Sequence, residues 1–166
     1  DCALIDFPAG LVATMDPIVA GVHFFPDDRP DDIAWKALAV NASDLASKAA
    51  QPKAYLMALA FPEAPERGWM RDFSAGLAAA QDAFGCTLFG GDTDRTSGPL
   101  TITVTMLGAP SRLAGRAGVR DIGRRGASAG DHLFVTGTIG DAGLGLDLAP
   151  DLAKRFSVKT RTSTLE

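Results

Sequence analysis

Four aspartates in this chain stand where their carboxylates could hold a divalent cation. Asp92 directly follows Gly90 and Gly91, and this Gly-Gly-Asp motif lies between two strand-like runs. Adjacent glycines let a ligand approach the backbone, because no Cβ stands in the way. A carboxylate beside them supplies the hard oxygen that Mg²⁺ prefers. A Gly-Gly-Asp motif is also an ordinary turn, so it predicts a metal site only in combination with the other three aspartates.

The second candidate, Asp44, lies in a predicted helix within the sequence Asn41-Ala-Ser-Asp44. Asn41 lies one turn earlier, so the two polar side chains share a region of an otherwise apolar helix. Polar groups that are taken out of water need partners, and a metal ion would be one. The alternative is an exposed carboxylate that pairs with Lys48 at i,i+4 spacing.

The remaining candidates have equally ordinary explanations. Asp16 ends a predicted strand just before Pro17, where an aspartate often forms a turn. Asp1 precedes another predicted strand and could simply be solvated. His23 is flanked by apolar residues, a setting more typical of a packed histidine than of a ligand. No cysteine or second histidine lies near it in the sequence to indicate a zinc site.

A glycine-rich sequence at 137–145 follows a strand-like run and precedes a helix-like one. This is the context of a dinucleotide phosphate-binding turn. The match to GxGxxG is imperfect, and no acidic residue follows at the expected spacing. A tight strand-to-helix turn is therefore the simpler interpretation, and a dinucleotide-binding module remains an alternative.

Composition limits the possible partners. The net charge of −4 and the pI of about 5.1 argue against broad nucleic-acid binding, which needs a basic surface. No apolar run is long enough to span a membrane, and we expect a cytoplasmic protein.

The two cysteines form no disulfide framework, and we expect both to be reduced. Both ends of the sequence look internal, so we expect a fragment of a longer protein.

Periodicity and breaker residues predict the elements that position these side chains. The proline and aspartates at 30–32 indicate a helix start and Gly85 a helix end, while Pro17 and Pro52 indicate breaks. Threonines that alternate with apolar residues at 101–106 indicate a half-buried strand. Strands are predicted at 2–6, 11–15, 53–61, 86–89, 100–107 and 132–136, and helices at 31–50, 66–84 and 140–149. This order predicts an α+β fold in which helices flank a mixed or antiparallel sheet. We expect an N-terminal domain at 1–110, a linker at 111–130, and the beginning of a second α+β domain at 131–166.

The motifs in combination resemble the thiamine-monophosphate kinase family, within the superfamily of aminoimidazole-ribotide synthetase-like ATP-binding proteins. The matching sequences appear in the same order along the chain, at residues 1–5, 14–16, 21–24, 36–46, 90–93 and 129–141. The Gly-Val-His-Phe sequence at 21–24 and the Asn-x-Ser-Asp helix favour this family over other members of the superfamily.

The resemblance implies ATP-dependent phosphorylation of thiamine monophosphate to thiamine diphosphate, by direct transfer assisted by Mg²⁺. It implies a homodimer that forms through the N-terminal sheets as a barrel, with ATP bound at the interface. Metal ligands would be Asp1, Asp16, Asp44 and Asp92, with Thr14 and the Met15 carbonyl as additional ones. Gly90, Gly91 and Arg124 would contact ATP, and His23 would contact thiamine monophosphate. No residue is expected to act as a dedicated catalytic base.

Some features depart from the family. Met15 replaces a residue that is usually threonine, and the segment at 111–123 is longer than usual, which affects the alignment of Arg124. Because most of the second domain is missing, we expect this chain alone to have little or no kinase activity. Two alternatives remain open: another ATP-dependent member of the superfamily, of the ribotide or selenophosphate synthetase type, or a non-catalytic dimerisation fragment.

Overall fold

The structure is a computed structural model that describes residues 11–110, 127–135 and 137–140. Its described elements follow one another as four strands and two helices. They are β1 (Val12–Val19), α1 (Pro30–Ala46), β2 (Ala50–Phe61), α2 (Arg67–Phe84), β3 (Thr87–Arg95) and β4 (Thr101–Pro110).

The four strands form one mixed sheet in the order β1-β4-β2-β3. β4 pairs antiparallel with both β1 and β2, whereas β2 and β3 are parallel and are joined through α2. The predicted α+β fold with a mixed sheet and helices is therefore confirmed. In contrast, the predicted strand at 132–136 is wrong for its described part, because residues 132–135 form no strand. Most of the expected second domain lies outside the described residues.

One face of the sheet packs against both helices and forms the core. Alternate residues of the central strand β4 point into it, and Ile102, Val104 and Met106 are fully buried. Leu38 of α1 and Phe73 of α2 lie in the same cluster. The alternation of threonines with apolar residues in β4 predicted this arrangement correctly.

The opposite face of the sheet has no helix over it in the described part of the chain. Met15 on β1 is 62% exposed and Leu56 on β2 is 41% exposed. Both belong to the side of the sheet that faces away from the core, since their neighbours Asp16 and Met57 face the helices. Exposed apolar side chains on an uncovered sheet face are typical of an association surface.

Several element boundaries differ from the predicted ones. α1 ends at Ala46 rather than near 50, and Ala49 takes a left-handed φ of 48° before β2 begins. Pro52 does not end the helix but lies within β2, where the pairing with β4 is irregular. An irregularity of this kind accommodates proline, because no regular ladder bond is lost there. β1 continues through Pro17, since an edge strand does not need every N–H.

The second helix has the boundaries that the sequence predicts. α2 ends at Phe84, and Gly85 takes a left-handed φ of 67° as its cap. Cys86 follows as a buried free thiol, as expected. Neither α1 nor α2, the helices of the described residues, is long and apolar enough to cross a membrane.

Candidate functional site

A hydrogen bond joins two of the predicted metal ligands. The strand alternation of β1 turns Thr14, Asp16 and Ile18 toward the helices, and Ile18 is buried in the core. The Thr14 hydroxyl donates to Oδ2 of Asp44 on α1 at 2.9 Å. The structure thus brings Thr14 and Asp44 together, and it places Asp16 on the same side of the same strand.

These three residues offer only oxygen donors. Asp16 is half-buried and Asp44 is exposed, so both carboxylates can be reached from solvent. A hydroxyl and carboxylates suit Mg²⁺, which is bound by oxygen and keeps several waters. The chemistry of this donor set therefore fits the metal that the resemblance implies. Met15 lies between Thr14 and Asp16, and its side chain points to the opposite, uncovered face.

Asp92 lies at the other edge of the sheet. Asp16, Val104, Met57 and Gly91 form one cross-strand row, and Asp92 follows Gly91 on β3. Three strand spacings separate β1 from β3, which corresponds to about 14 Å. Since neighbouring residues of a strand point to opposite faces, Asp92 points away from the helices, unlike Asp16.

Within one chain, the aspartates do not form a single cluster. Among residues 11–110, 127–135 and 137–140, no three His, Cys, Asp or Glu side chains are close enough together to hold a metal ion. Oδ1 of Asp92 instead accepts a hydrogen bond from the backbone N–H of Thr93 at 2.8 Å. Asp1 and Arg124 lie outside the described residues, so their predicted roles stay predictions.

The two glycines before Asp92 lie within β3, not in a turn. A Cβ on Gly91 would lie 1.8 Å from the carbonyl oxygen of Met57, so the close approach of β2 requires glycine there. A Cβ on Gly90 would meet nothing nearer than a Leu56 methyl at 3.8 Å. The close packing against β2 therefore explains why position 91 is a glycine, whereas a side chain at position 90 would meet free space. Both glycines line a groove of about 400 Å³ between β3 and α2.

His23 is exposed in the loop that follows β1, not packed in the core. Its Nδ1 accepts a hydrogen bond from the backbone N–H of Val19 at 3.0 Å. A ring nitrogen that accepts is unprotonated, so the neutral ring carries its proton on Nε2. The neighbouring Phe24, 5% exposed, is the residue of this loop that packs into the core. The structure thus presents a hydrogen-bond donor to solvent.

Lys36 is a residue to which the sequence assigned no role. Its ammonium group, carried by α1, donates a hydrogen bond to the backbone carbonyl of His23. Lys36 is half-buried, and loss of hydration lowers its pKa, while the charge of Asp28 opposes that change. No sequence pattern signals this contact, because the two residues are 13 positions apart and only the fold brings them together.

The sequence of the described domain matches a known family. The family model "AIR synthase related protein, N-terminal domain" matches residues 1–109. The chain belongs to this family, as the resemblance indicated.

Two curated relatives indicate which members of this family the chain resembles. A thiamine-monophosphate kinase from Caulobacter vibrioides is 46% identical over 137 residues, covering 82% of this chain and 37% of the relative. A thiamine-monophosphate kinase from Salmonella typhimurium is 43% identical over 164 residues, covering 98% of this chain and 47% of the relative. The resemblance to thiamine-monophosphate kinases is confirmed. The chain spans less than half the length of these two relatives.

Solved structures of thiamine-monophosphate kinases also resemble this chain. A thiamine-monophosphate kinase structure from Stenotrophomonas maltophilia superimposes with a TM-score of 0.56 and 45% identity, over 60% of this chain and 30% of that one. A second structure, AaThiL complexed with AMPPCP and TMP, superimposes with a TM-score of 0.56 and 32% identity, over 59% of this chain and 31% of that one. That complex contains AMPPCP and TMP.

Proposed function

We propose that this chain is part of an enzyme that transfers a phosphoryl group from ATP to thiamine monophosphate, forming thiamine diphosphate. The observation that supports this most strongly is the 43% identity to a thiamine-monophosphate kinase over 98% of the chain. The AMPPCP and TMP bound by the related AaThiL support the same pair of substrates. The oxygen donors at Thr14, Asp16 and Asp44 add a chemical reason from the structure itself.

Asp16 and Asp44 would hold Mg²⁺, with Thr14 and the Met15 carbonyl as further ligands and Asp1 as a ligand that the resemblance adds. The metal would neutralise the anionic oxygens of donor and acceptor, which otherwise repel each other. In the structure, the Thr14 hydroxyl already orients the Asp44 carboxylate through their hydrogen bond. Such preorganisation lowers the cost of assembling a metal site.

His23 would bind the phosphate of thiamine monophosphate through its Nε2–H. The acceptor role of Nδ1 toward Val19 directs that proton outward, toward a ligand oxygen. Gly90 has space for ATP to approach, and Gly91 would contribute its backbone beside it. Arg124 would add a cationic contact to ATP. No side chain has to act as a strong base, because the accepting phosphate oxygen is already anionic near neutral pH.

We propose that two copies of the chain associate through the uncovered faces and edges of their sheets. Met15 and Leu56 expose apolar surface there, and within the described part of the chain β1 and β3 are the edge strands, each with a neighbouring strand on one side only. If β3 of one copy lies beside β1 of the other, the sheets close into a barrel without edges. The β3 edge that carries Asp92 of one copy would then lie beside the β1 edge that carries Asp16 of the other, with the two side chains on opposite faces of the joined sheet.

We place the enzyme in the cytoplasm, where both ATP and Mg²⁺ are abundant. The chain as printed would bind ATP and Mg²⁺ but turn over little substrate, because the relatives are more than twice as long. Binding, rather than turnover, is therefore the first property to measure.

Calorimetry of ATP binding with and without Mg²⁺ tests the proposal. We expect binding to require Mg²⁺, and Asp44→Asn to weaken it by about 1 kcal/mol or more, as loss of a charged ligand predicts. Asp82→Asn, at an exposed position of α2, is the matched control and should bind as the parent does. Equal affinity in the presence and absence of Mg²⁺, or full affinity in Asp44→Asn, would contradict the proposal.

A further inference from the structure

The loop after β1 is held by its own backbone. The N–H of His23 donates to the carbonyl of Val19 at 2.9 Å, and the N–H of Gly21 donates to the carbonyl of Phe24 at 2.8 Å. Gly21 takes a left-handed φ of 77°, which lets the chain reverse direction there. These bonds hold the loop beside the end of β1, but neither of them engages the carbonyl of His23.

The orientation of the His23 ring depends on the orientation of the His23 backbone. The single hydrogen bond found for the ring runs from the Val19 N–H to Nδ1. If the backbone of His23 rotates within the loop, this bond is lost and the ring can take either tautomer or turn away. An exposed donor that must meet a ligand oxygen needs a placement accurate to about 0.5 Å. A second contact that holds the backbone of His23 would supply it.

Lys36 makes that contact from a different element. Its ammonium group donates to the backbone carbonyl of His23, which joins the loop to α1. Withdrawing an ammonium group from water is unfavourable unless a partner replaces the lost hydration. A half-buried lysine is therefore a costly means of packing a loop, whereas a methionine or leucine would fill the same space without that cost. The desolvation of Lys36 is explained if its ammonium group serves to hold the His23 carbonyl in one position.

We propose that Lys36 is a positioning residue, which holds the His23 carbonyl on α1 so that the Nε2–H of His23 points at an anionic oxygen of the bound phosphate monoester. This inference rests on the proposed function for the identity of the ligand. The placement of the ring can be tested without any ligand. Lys36 would act through His23 and would not itself contact the substrate.

Nuclear magnetic resonance of the chain as printed tests the placement. Lys36→Met keeps the apolar stem and removes the donor, Lys36→Arg keeps a donor, and Lys53→Met removes an exposed lysine of β2 as the matched control. In the parent, Lys36→Arg and Lys53→Met, the nitrogen shifts of His23 should show the Nε2–H tautomer. In Lys36→Met we expect mixed tautomers. The Val19 amide should also exchange about fivefold faster, as loss of one ordinary hydrogen bond predicts.

The Val104 amide in β4 distinguishes local placement from general destabilisation. We expect its exchange to stay unchanged in Lys36→Met. If Val104 exchanges faster in proportion to Val19, or if neither tautomer nor Val19 exchange changes, Lys36 has only a structural role and the inference is overturned.

Calorimetry with thiamine monophosphate tests the link to the ligand. We expect a dissociation constant about fivefold higher for Lys36→Met, and near-parental values for Lys36→Arg and Lys53→Met. An unchanged constant despite altered tautomers would overturn the inference. If the parent itself does not bind thiamine monophosphate, the proposed function fails, while the resonance measurements still decide whether Lys36 positions His23.

Discussion

The hydroxyl of Thr14 on β1 donates a hydrogen bond to the carboxylate of Asp44 on α1, with 2.9 Å between the oxygens. The two residues are 30 positions apart in the sequence. Their contact ties an edge strand to the helix above it, at the place where the chain offers a hydroxyl and carboxylates together. The same bond therefore contributes both to the stability of the edge strand and to the order of the proposed metal site.

The Thr14–Asp44 bond leads to a first prediction about stability. Thr14→Val keeps the shape of the side chain and removes the donor, so we expect the free energy of unfolding in urea to fall by about 1 kcal/mol. Thr14→Ser keeps a hydroxyl, so its free energy of unfolding should stay close to that of the parent. Thr103→Val on β4 makes the same change on the uncovered face and should cost little. A Thr14→Val chain as stable as the parent would show that the bond contributes nothing.

The two glycines of β3 form a matched pair for a second prediction. Gly90 and Gly91 have nearly the same φ, 155° and 156°, so replacement by alanine strains the backbone equally at both. Only at Gly91 does the new Cβ collide with a backbone carbonyl, that of Met57. We expect Gly91→Ala to be more destabilising than Gly90→Ala by about 2 kcal/mol, as overpacking predicts. Urea denaturation of both variants measures the difference, and equal losses would contradict it.

The sequence predicted the elements with strong local signals. The proline and aspartates at 30–32 indicated where α1 begins, and Gly85 indicated where α2 ends. The alternation in β4 predicted which of its residues are buried. These signals are local, since helix starts, caps and strand alternation depend on a few neighbouring residues.

Other features depend on the whole fold and could not be predicted in this way. Pro17 and Pro52 both looked like breaks, yet each lies in a strand, one at an edge and one at an irregular pairing. The separation of Asp16 from Asp92 follows from the strand order, which the sequence does not specify. The contact between Lys36 and His23 likewise needs the packing of α1 beside the loop.

A third prediction concerns the pH at which Tyr55 loses its proton. Tyr55 is the single tyrosine of the chain and is fully buried, and its hydroxyl has no hydrogen-bond partner among the described residues. Burial raises its pKa to about 12, because the charged phenolate would lose its hydration. The ultraviolet absorbance of the phenolate should therefore appear near pH 12 in the folded chain, and near pH 10 in denaturant.

The raised pKa of Tyr55 also determines whether stability rises or falls as the pH increases. The folded state keeps its proton above pH 10 while the unfolded state releases one, so stability is fully present below pH 10 and falls toward pH 12. Tyr55→Phe should remove this contribution to the pH dependence. At neutral pH it should not destabilise, since the lost hydroxyl had no partner. A phenol that titrates near pH 10 in the folded chain would contradict the burial of this side chain.

The uncovered sheet face leads to a fourth prediction, about association. Met15 and Leu56 expose apolar side chains on the face that we propose two copies share. Met15→Glu or Leu56→Glu would place a charge in that interface, where burying an unpaired carboxylate is strongly unfavourable. We expect the parent to sediment as a dimer and each variant as a monomer at the same concentration. Ala79→Glu adds the same charge at an exposed position of α2 and should leave the dimer intact. Variants that remain dimeric would place the interface elsewhere and would contradict the proposed barrel.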